Sequence, residues 1–217
     1  VRSLPLADLV SWRSHHAESP RCGVLLVDGG FLALQHAADI VTFVDQRLEV
    51  VSPLWGNVEL PWDQVRGVLV LPPATARQQR QLRDQLATAQ GTADQLWLEN
   101  GDRLQGELLS LSDGTLDFRL SGRTVKLELD QVQSLLPNPA GRTSRRSEAP
   151  CTLIGFRDGS QLRAESAEIG PERLIVSGIS GVVLRSDPQM ALPAAQQVSL
   201  LQPLGGPVVY LSDLEPL

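Results

Sequence analysis

Three segments of the chain begin with the same pattern of hydrophobic and polar positions. In each one an apolar run leads into Asp-Gly or Asn-Gly, followed by two further residues and then leucine. This pattern is typical of a strand entering a tight hairpin, because a type I′ turn requires positive φ at both central positions. We therefore predict type I′ hairpin turns at three dipeptides: Asp28 and Gly29, Asn100 and Gly101, and Asp158 and Gly159.

The three segments also continue alike. A middle strand is predicted in each, at residues 48–52, 116–120 and 174–177. Residues 58–65 and 125–132 then share Val, Leu and Asp-Gln-Val at the same offsets, and residues 196–201 repeat this closing segment more loosely. Between Leu116 and Leu129 apolar residues alternate with charged ones such as Asp117 and Lys126. This period of two predicts antiparallel strands with one face in solvent.

Each repeat therefore contains four or five short antiparallel strands. A strongly bent sheet of this size curls into a small barrel and so hides its edges. The order of hairpin, middle strand, turn and two short strands resembles that of SH3-like and Sm-like barrels. The predicted fold is all-β with one connecting helix, in three tandem small SH3-like or Sm-like antiparallel β-barrel units.

Two segments between the repeats lack strand patterns. Residues 74–93 have apolar residues at helical spacing and Gly91 as a C-terminal stop, which predicts one helix packed on a neighbouring barrel. The apolar stripe is too short to favour a coiled coil. Residues 138–150 are polar and rich in Pro and Arg, which favours a solvated tether over an anion-binding arm. We therefore expect the third repeat to be the most independent.

These patterns divide the chain into six regions. They are a first repeat with an N-terminal extension (1–73), the helix (74–93), a second repeat (94–137), the linker (138–150), a third repeat (151–206) and the start of a further domain or tail (207–217).

The last region begins a new strand. Residues 208–215 read Val-Val-Tyr-Leu-Ser-Asp-Leu-Glu. This segment resembles the first strand of a carbohydrate-binding module with a galactose-binding-like β-sandwich fold, which follows small-barrel repeats in exported bacterial proteins. Pro216 departs from the usual continuation. The resemblance implies the scaffold of a larger extracytoplasmic protein, periplasmic or secreted, with carbohydrate or cell-envelope proteins as partners through a downstream domain.

Composition narrows the classes of partner. The net charge is −6, Lys126 is the single lysine among 19 basic residues, and aromatic residues make up 4%. Nucleic-acid-binding barrels need a basic groove with stacking aromatic side chains, so we predict no nucleic-acid partner. The alternative function, that of an Sm-like or SH3-like module that binds a peptide or nucleic acid, stays open. The longest apolar runs are strand-sized, so no membrane span is predicted.

The chain shows no catalytic or cofactor motif. There is no GxSxG, GxGxxG or Walker A sequence, so we predict a non-enzymatic protein without cofactors. His15 and His16 are adjacent and would point to opposite sides of a strand, which disfavours a metal site. Cys22 and Cys151 lack metal or redox spacing, and two free thiols are favoured over a disulfide between them.

The recurring turn residues have a structural explanation. Asp, Asn and Gly are the residues that tight turns require, so their recurrence does not indicate a repeated active site. Trp55 lies beside Gly56 in a predicted turn and is the one candidate for an exposed ligand contact.

Overall fold

The computed structural model describes residues 12–13, 21–140, 150–170, 173–188 and 193–205. Strands dominate it, with one three-turn helix, α1 (Ala76–Thr88), and one single-turn helix, α2 (Ala194–Gln197). The prediction of an all-β fold with one connecting helix is confirmed. His15, His16, most of the linker and residues 208–217 lie outside the described residues.

Each repeat contributes a consecutive set of strands, preceded by β1 (Trp12–Arg13). The first repeat consists of β2 (Cys22–Leu26), β3 (Phe31–Leu34), β4 (Ile40–Val44), β5 (Arg47–Ser52), β6 (Gly56–Pro61) and β7 (Val65–Leu69). The second consists of β8 (Asp94–Leu98), β9 (Arg103–Ser112), β10 (Thr115–Leu120), β11 (Arg123–Glu128) and β12 (Val132–Leu136). The third consists of β13 (Cys151–Phe156), β14 (Gln161–Ile169), β15 (Leu174–Gly178), β16 (Val183–Arg185) and β17 (Val198–Leu204).

The three repeats share one antiparallel strand order. In each, the first strand pairs with the last strand on one side and the second strand on the other, and the middle strands follow in sequence. In the first repeat the second strand is divided into β3 and β4 by a 3-10 turn at Ala37–Asp39. The fourth strand of each repeat is the free end of this order, and that position creates the groove described below.

The three hairpin turns are of a different type from the one predicted. Gly29, Gly101 and Gly159 have φ of 86°, 92° and 95°, but the preceding Asp or Asn residues are not at positive φ. The Gly29 N–H donates to the carbonyl of Leu26, and the Leu26 N–H donates to that of Gly30. This is a three-residue loop with Gly at the bulge position. The prediction of type I′ turns there was wrong, because the glycine alone takes up the left-handed conformation.

The first two repeats are related by a pseudo-twofold axis. Residue 68 of the closing segment corresponds to residue 135, and Val68 pairs directly with Leu135 between β7 and β12. A second contact shows the same relation, since Phe43 of β4 pairs with its counterpart Leu111 of β9. Equivalent residues thus meet each other at two points of the interface.

The third repeat is joined closely to the first. Phe31 of β3 pairs with its counterpart Gln161 of β14. The Ala33 N–H donates to Ser160 Oγ at 2.9 Å, and the Ser180 N–H donates to Asp28 Oδ2 at 3.2 Å. The third repeat is therefore not isolated, although the described ladders give it one residue pair with the first repeat, where the first and second repeats share three.

One large hydrophobic cluster extends through all three repeats. It contains buried residues of all three repeats, for example Leu48, Phe118 and Leu174. Because ladders and core both continue from one repeat into the next, the strands form one nearly closed antiparallel system. The prediction of three separate tandem barrels is not confirmed.

Helix α1 packs on the sheet through a narrow stripe. Leu82 and Leu86 join a second cluster with residues of β2, β7, β8 and β12. Thr75 caps its N-terminus by accepting a hydrogen bond from the Gln78 N–H at 3.2 Å. The helix ends at Thr88, before the predicted stop at Gly91.

Both cysteines are buried and free, and burial raises the pKa of the Cys22 thiol. Among the described residues, no helix has the length and apolar character needed to cross a membrane.

Candidate functional site

A groove separates β6 of the first repeat from β16 of the third. It has a volume of about 350 Å³ and is lined by both strands. A neighbouring depression of about 500 Å³ shares Trp55, Asn57 and Arg185 with it. These volumes are in the range of ligand-binding clefts. No ladder joins β6 to β16 in the part of the chain that the structure describes.

The first wall of the groove is a free strand edge. Within the described residues β6 pairs with β5 alone. The Trp62 N–H donates to the Gln46 carbonyl at 2.7 Å, and this bond fixes which residues of β6 face β5, because bonded and non-bonded pairs alternate in an antiparallel ladder. The N–H and C=O groups of Asn57 and Glu59 consequently point away from β5. Pro61 is the next residue of β6 whose backbone points away from β5, and as a proline it has a carbonyl but no N–H.

The opposite wall is built in the same way. Among the described residues β16 pairs with β15 alone. The Gly178 N–H donates to the Val182 carbonyl at 2.8 Å, which sets the phase of this ladder. The N–H and C=O groups of Val183 and Arg185 therefore point away from β15. None of these outward groups, on either wall, has a hydrogen-bond partner among the described residues.

Contacts between the first and third repeats mark the two ends of the groove. At one end the Asp187 N–H, next in the outward row of β16, donates to the Leu54 carbonyl at 3.0 Å. At the other end the side chain of Gln64 lies against Gly181. The start of β6 is thus near the end of β16, so the two walls run antiparallel.

Buried apolar side chains form the floor. Trp55 is 3% exposed and meets Phe156 of the third repeat edge-on, with ring centroids 5.2 Å apart. Val58 and Leu184 project inward from the two walls and are also buried. Trp55 was predicted as an exposed contact; it is buried, and it lines the groove from below.

Several buried polar atoms at this boundary have no hydrogen-bond partner in the described chain. They are Trp55 Nε1, Gln64 Oε1 and Ser180 Oγ. An unsatisfied buried polar atom costs about 1–3 kcal/mol. A binding partner or a small rearrangement that supplied hydrogen bonds to these atoms would therefore stabilise the boundary between the first and third repeats.

The charged side chains along the rim of the groove differ in whether they form an ion pair. Glu59 is exposed and forms an ion pair with Arg47 of the neighbouring strand. Asp187 is half-buried, with its carboxylate against Gly56. Arg185 is exposed and has no ion pair among the described residues. Arg185 is thus the basic group of the groove that is left for a ligand.

The corresponding edge in the second repeat differs. The outward row of β11 consists of Thr124, Lys126 and Glu128, all exposed. Charged side chains on a free edge, lysine above all, protect it from pairing with other strands. In the groove the corresponding row of β16 instead contains Val183, an apolar residue that is 47% exposed.

No group of three His, Cys, Asp or Glu residues that could hold a metal ion occurs in the described chain. Asp28 is buried, but its Oδ1 accepts from the Gly30 N–H at 2.7 Å and its Oδ2 from the Ser180 N–H. Its carboxylate holds the turn and joins two repeats.

Comparison with protein-family models, with curated proteins and with solved structures finds no match to this chain.

Sequence reasoning identified one groove residue, Trp55, and missed Val183 and Arg185. The apolar run Val182-Val183-Leu184 was the available signal. It places an apolar side chain at a position where a solvent-facing strand has a polar one, as Lys126 and Thr124 show in the second repeat.

Proposed function

We propose that this protein is a non-catalytic binding scaffold whose groove takes an extended polypeptide segment. The segment would lie between β6 and β16 as an added strand. The observation that supports this most directly is the pair of facing strand edges, each with an outward row of unpaired backbone groups.

Strand addition fits these edges better than other modes of recognition. A peptide supplies alternating N–H and C=O groups at the spacing of a strand, and main-chain hydrogen bonds to a sheet edge are a common source of peptide affinity. Because the walls run antiparallel, an inserted strand is antiparallel to one of them and parallel to the other. Its own backbone groups are then used on both sides.

The scaffold part of the proposal rests on the continuous core. Units that share a ladder and buried side chains restrict how far the two walls can move relative to each other. The larger extracytoplasmic, carbohydrate-associated protein stays a prediction, since it depends on residues 208–217. Sequencing of the flanking reading frame and glycan-array binding of the longer protein test it.

A proline substitution on one wall tests strand addition. In Val183→Pro the lost N–H faces the groove, so the β15–β16 ladder is kept while one ligand bond is removed and the ring enters the groove. We expect at least about fivefold weaker binding of a fluorescein-labelled peptide, acetyl-(Thr-Val)₄-amide, measured by fluorescence anisotropy.

The matched control is Thr124→Pro, the equivalent position on the β11 edge. It should bind the peptide like the wild type. Equal loss in both variants, or no binding by the wild-type protein, contradicts the proposed function.

N-methylated peptides distinguish insertion between two walls from addition to one. Insertion uses the N–H of every central residue, so methylation at either of two adjacent positions should weaken binding. If only alternate positions are sensitive, the peptide pairs with a single edge.

A further inference from the structure

The groove has two chemically different ends. The Leu54–Asp187 bond places Arg185 near Asn57, and the contact of Gln64 with Gly181 places Val183 near Glu59. One end of the rim therefore offers a guanidinium and an amide, and the other an apolar side chain and a carboxylate that is already paired with Arg47.

We infer that the groove selects an amphipathic strand that places a carboxylate beside Arg185, an inference that rests on the proposed function. The guanidinium of Arg185 is exposed on the outer face of β16, where side chains of an inserted strand would stand next to it. A planar guanidinium binds a carboxylate through two parallel hydrogen bonds, which gives direction as well as charge complementarity.

The other groups near this end leave the guanidinium available. Asp187 is the one neighbouring carboxylate along the same row, and its backbone N–H is held by Leu54. Its side chain lies against Gly56, at 3.2 Å from the position a Cβ would take there. Asn57 is exposed, and its amide adds a second donor for a ligand oxygen.

The inner face of the ligand is specified by the floor. Side chains of a strand point alternately to the two faces, so every second ligand residue would lie over Trp55, Val58 and Leu184. These positions favour apolar residues. The preferred segment thus alternates apolar residues with polar ones, and one of the polar residues is acidic.

The carboxylate has two chemical sources, an Asp or Glu side chain and the C-terminus of the partner. The peptide series separates them. The parent is acetyl-(Thr-Val)₄-amide; one set of derivatives carries Glu or Lys at each Thr in turn, and a further derivative has a free C-terminal carboxylate.

We expect one Glu position to strengthen binding by about three- to fivefold over the parent in low salt, and Lys at that position to weaken it. If the gain comes instead from the free C-terminus, the partner presents its chain end. In Arg185→Gln the difference in affinity between the Glu derivative and the parent should disappear, and an unchanged far-UV circular dichroism spectrum shows that the variant is folded.

Lys126→Gln is the matched control, because Lys126 holds the equivalent position on the β11 edge. It should keep the full gain. If the wild type binds the parent but neither Glu nor a free C-terminus adds affinity, the carboxylate inference is overturned and strand addition stands. If the parent does not bind, the proposed function fails first.

Discussion

Asp158 is a turn residue of the third repeat that is linked to the first repeat through Ser160. Its Oδ1 accepts from the Ser160 N–H at 2.8 Å and its Oδ2 from Ser160 Oγ at 2.9 Å, while the same hydroxyl accepts from the Ala33 N–H. Desolvation raises the pKa of Asp158, and the hydrogen bonds from Ser160 and the charge of Arg21 offset part of that rise. The turn therefore carries a charged group in surroundings that favour its protonated form.

This predicts a specific pH dependence of stability. Because the pKa of Asp158 is raised in the folded state, the folded protein binds the proton more tightly, and the free energy of unfolding falls as pH rises from about 3.8 through the folded-state pKa. In Asp158→Asn this contribution is absent. The free energy of unfolding of the variant relative to the wild type should therefore rise with pH across that window.

Urea unfolding at a series of pH values measures the difference. The same comparison for Asp102→Asn gives the effect of an exposed turn carboxylate. A variant-to-wild-type difference that is constant with pH, or that falls as pH rises, would show that burial of Asp158 has no energetic consequence.

The Asp-Gly and Asn-Gly dipeptides predicted where the three turns lie but not which type of turn they form. Asp28, Asn100 and Asp158 each accept a hydrogen bond from the N–H two residues later, which accounts for their recurrence. Dipeptide preferences do not separate a type I′ turn from a type I turn with a bulge, since both favour glycine at the second position. Positive φ at both central residues, as a type I′ turn requires, occurs instead at Asp45-Gln46, Asp113-Gly114 and Ser121-Gly122.

At the scale of elements, helix α1 depends on a side chain from the sheet. Arg66 of β7 is 7% exposed and donates from Nε and Nη2 to the Ala87 carbonyl, and from Nη2 to the Ala89 carbonyl at 2.7 Å. The last carbonyls of a helix have no partners within the helix, and a cation there also complements the helix dipole. Burial lowers the pKa of Arg66.

We expect Arg66→Met to lower the free energy of unfolding by about 2–3 kcal/mol, because the carbonyls it serves lose charged donors in a buried site. Thermal or urea unfolding measures this. Arg77→Met, an exposed change on the same helix, should have little effect. Equal stability of the Arg66 variant and the wild type would show that water replaces the guanidinium without cost.

Strand positions followed well from local patterns, whereas edges did not. The alternation between Leu116 and Leu129 predicted β10 and β11, because each residue's face is set by its neighbours in sequence. Which strand edge faces another repeat depends on how segments more than a hundred residues apart are placed, as β6 and β16 are on either side of the groove. In the sequence, the sign of this arrangement is Val183, an apolar residue at an exposed strand position.

At the scale of the whole molecule, the shared core predicts that the repeats unfold together. Of the four tryptophans, Trp62 and Trp97 lie in the first and second repeats, whereas Trp12 pairs with β17 and Trp55 packs against Phe156, both of the third repeat. Leu174 is fully buried in the third repeat. In a background with both Trp12→Phe and Trp55→Phe, Leu174→Ala should lower the free energy of unfolding seen by Trp62 and Trp97 by about 2–4 kcal/mol.

Coincident fluorescence and far-UV circular dichroism transitions would support one cooperative unit. Val183→Ala, at an exposed position of the same repeat, serves as the control. If Leu174→Ala leaves the tryptophan transition unchanged and splits the dichroism transition in two, the third repeat unfolds alone and the shared core does not couple the repeats.

The pairing of Val68 with Leu135 has a consequence for how this sequence can change. A residue on a pseudo-twofold axis packs against its own counterpart, as in the isologous interface of a symmetric dimer. A larger side chain at one of these positions needs a smaller one at the other to keep the combined volume. We therefore expect a substitution at position 68 to be accompanied by a compensating one at position 135, and likewise for positions 43 and 111. At these positions the first and second repeats would change together.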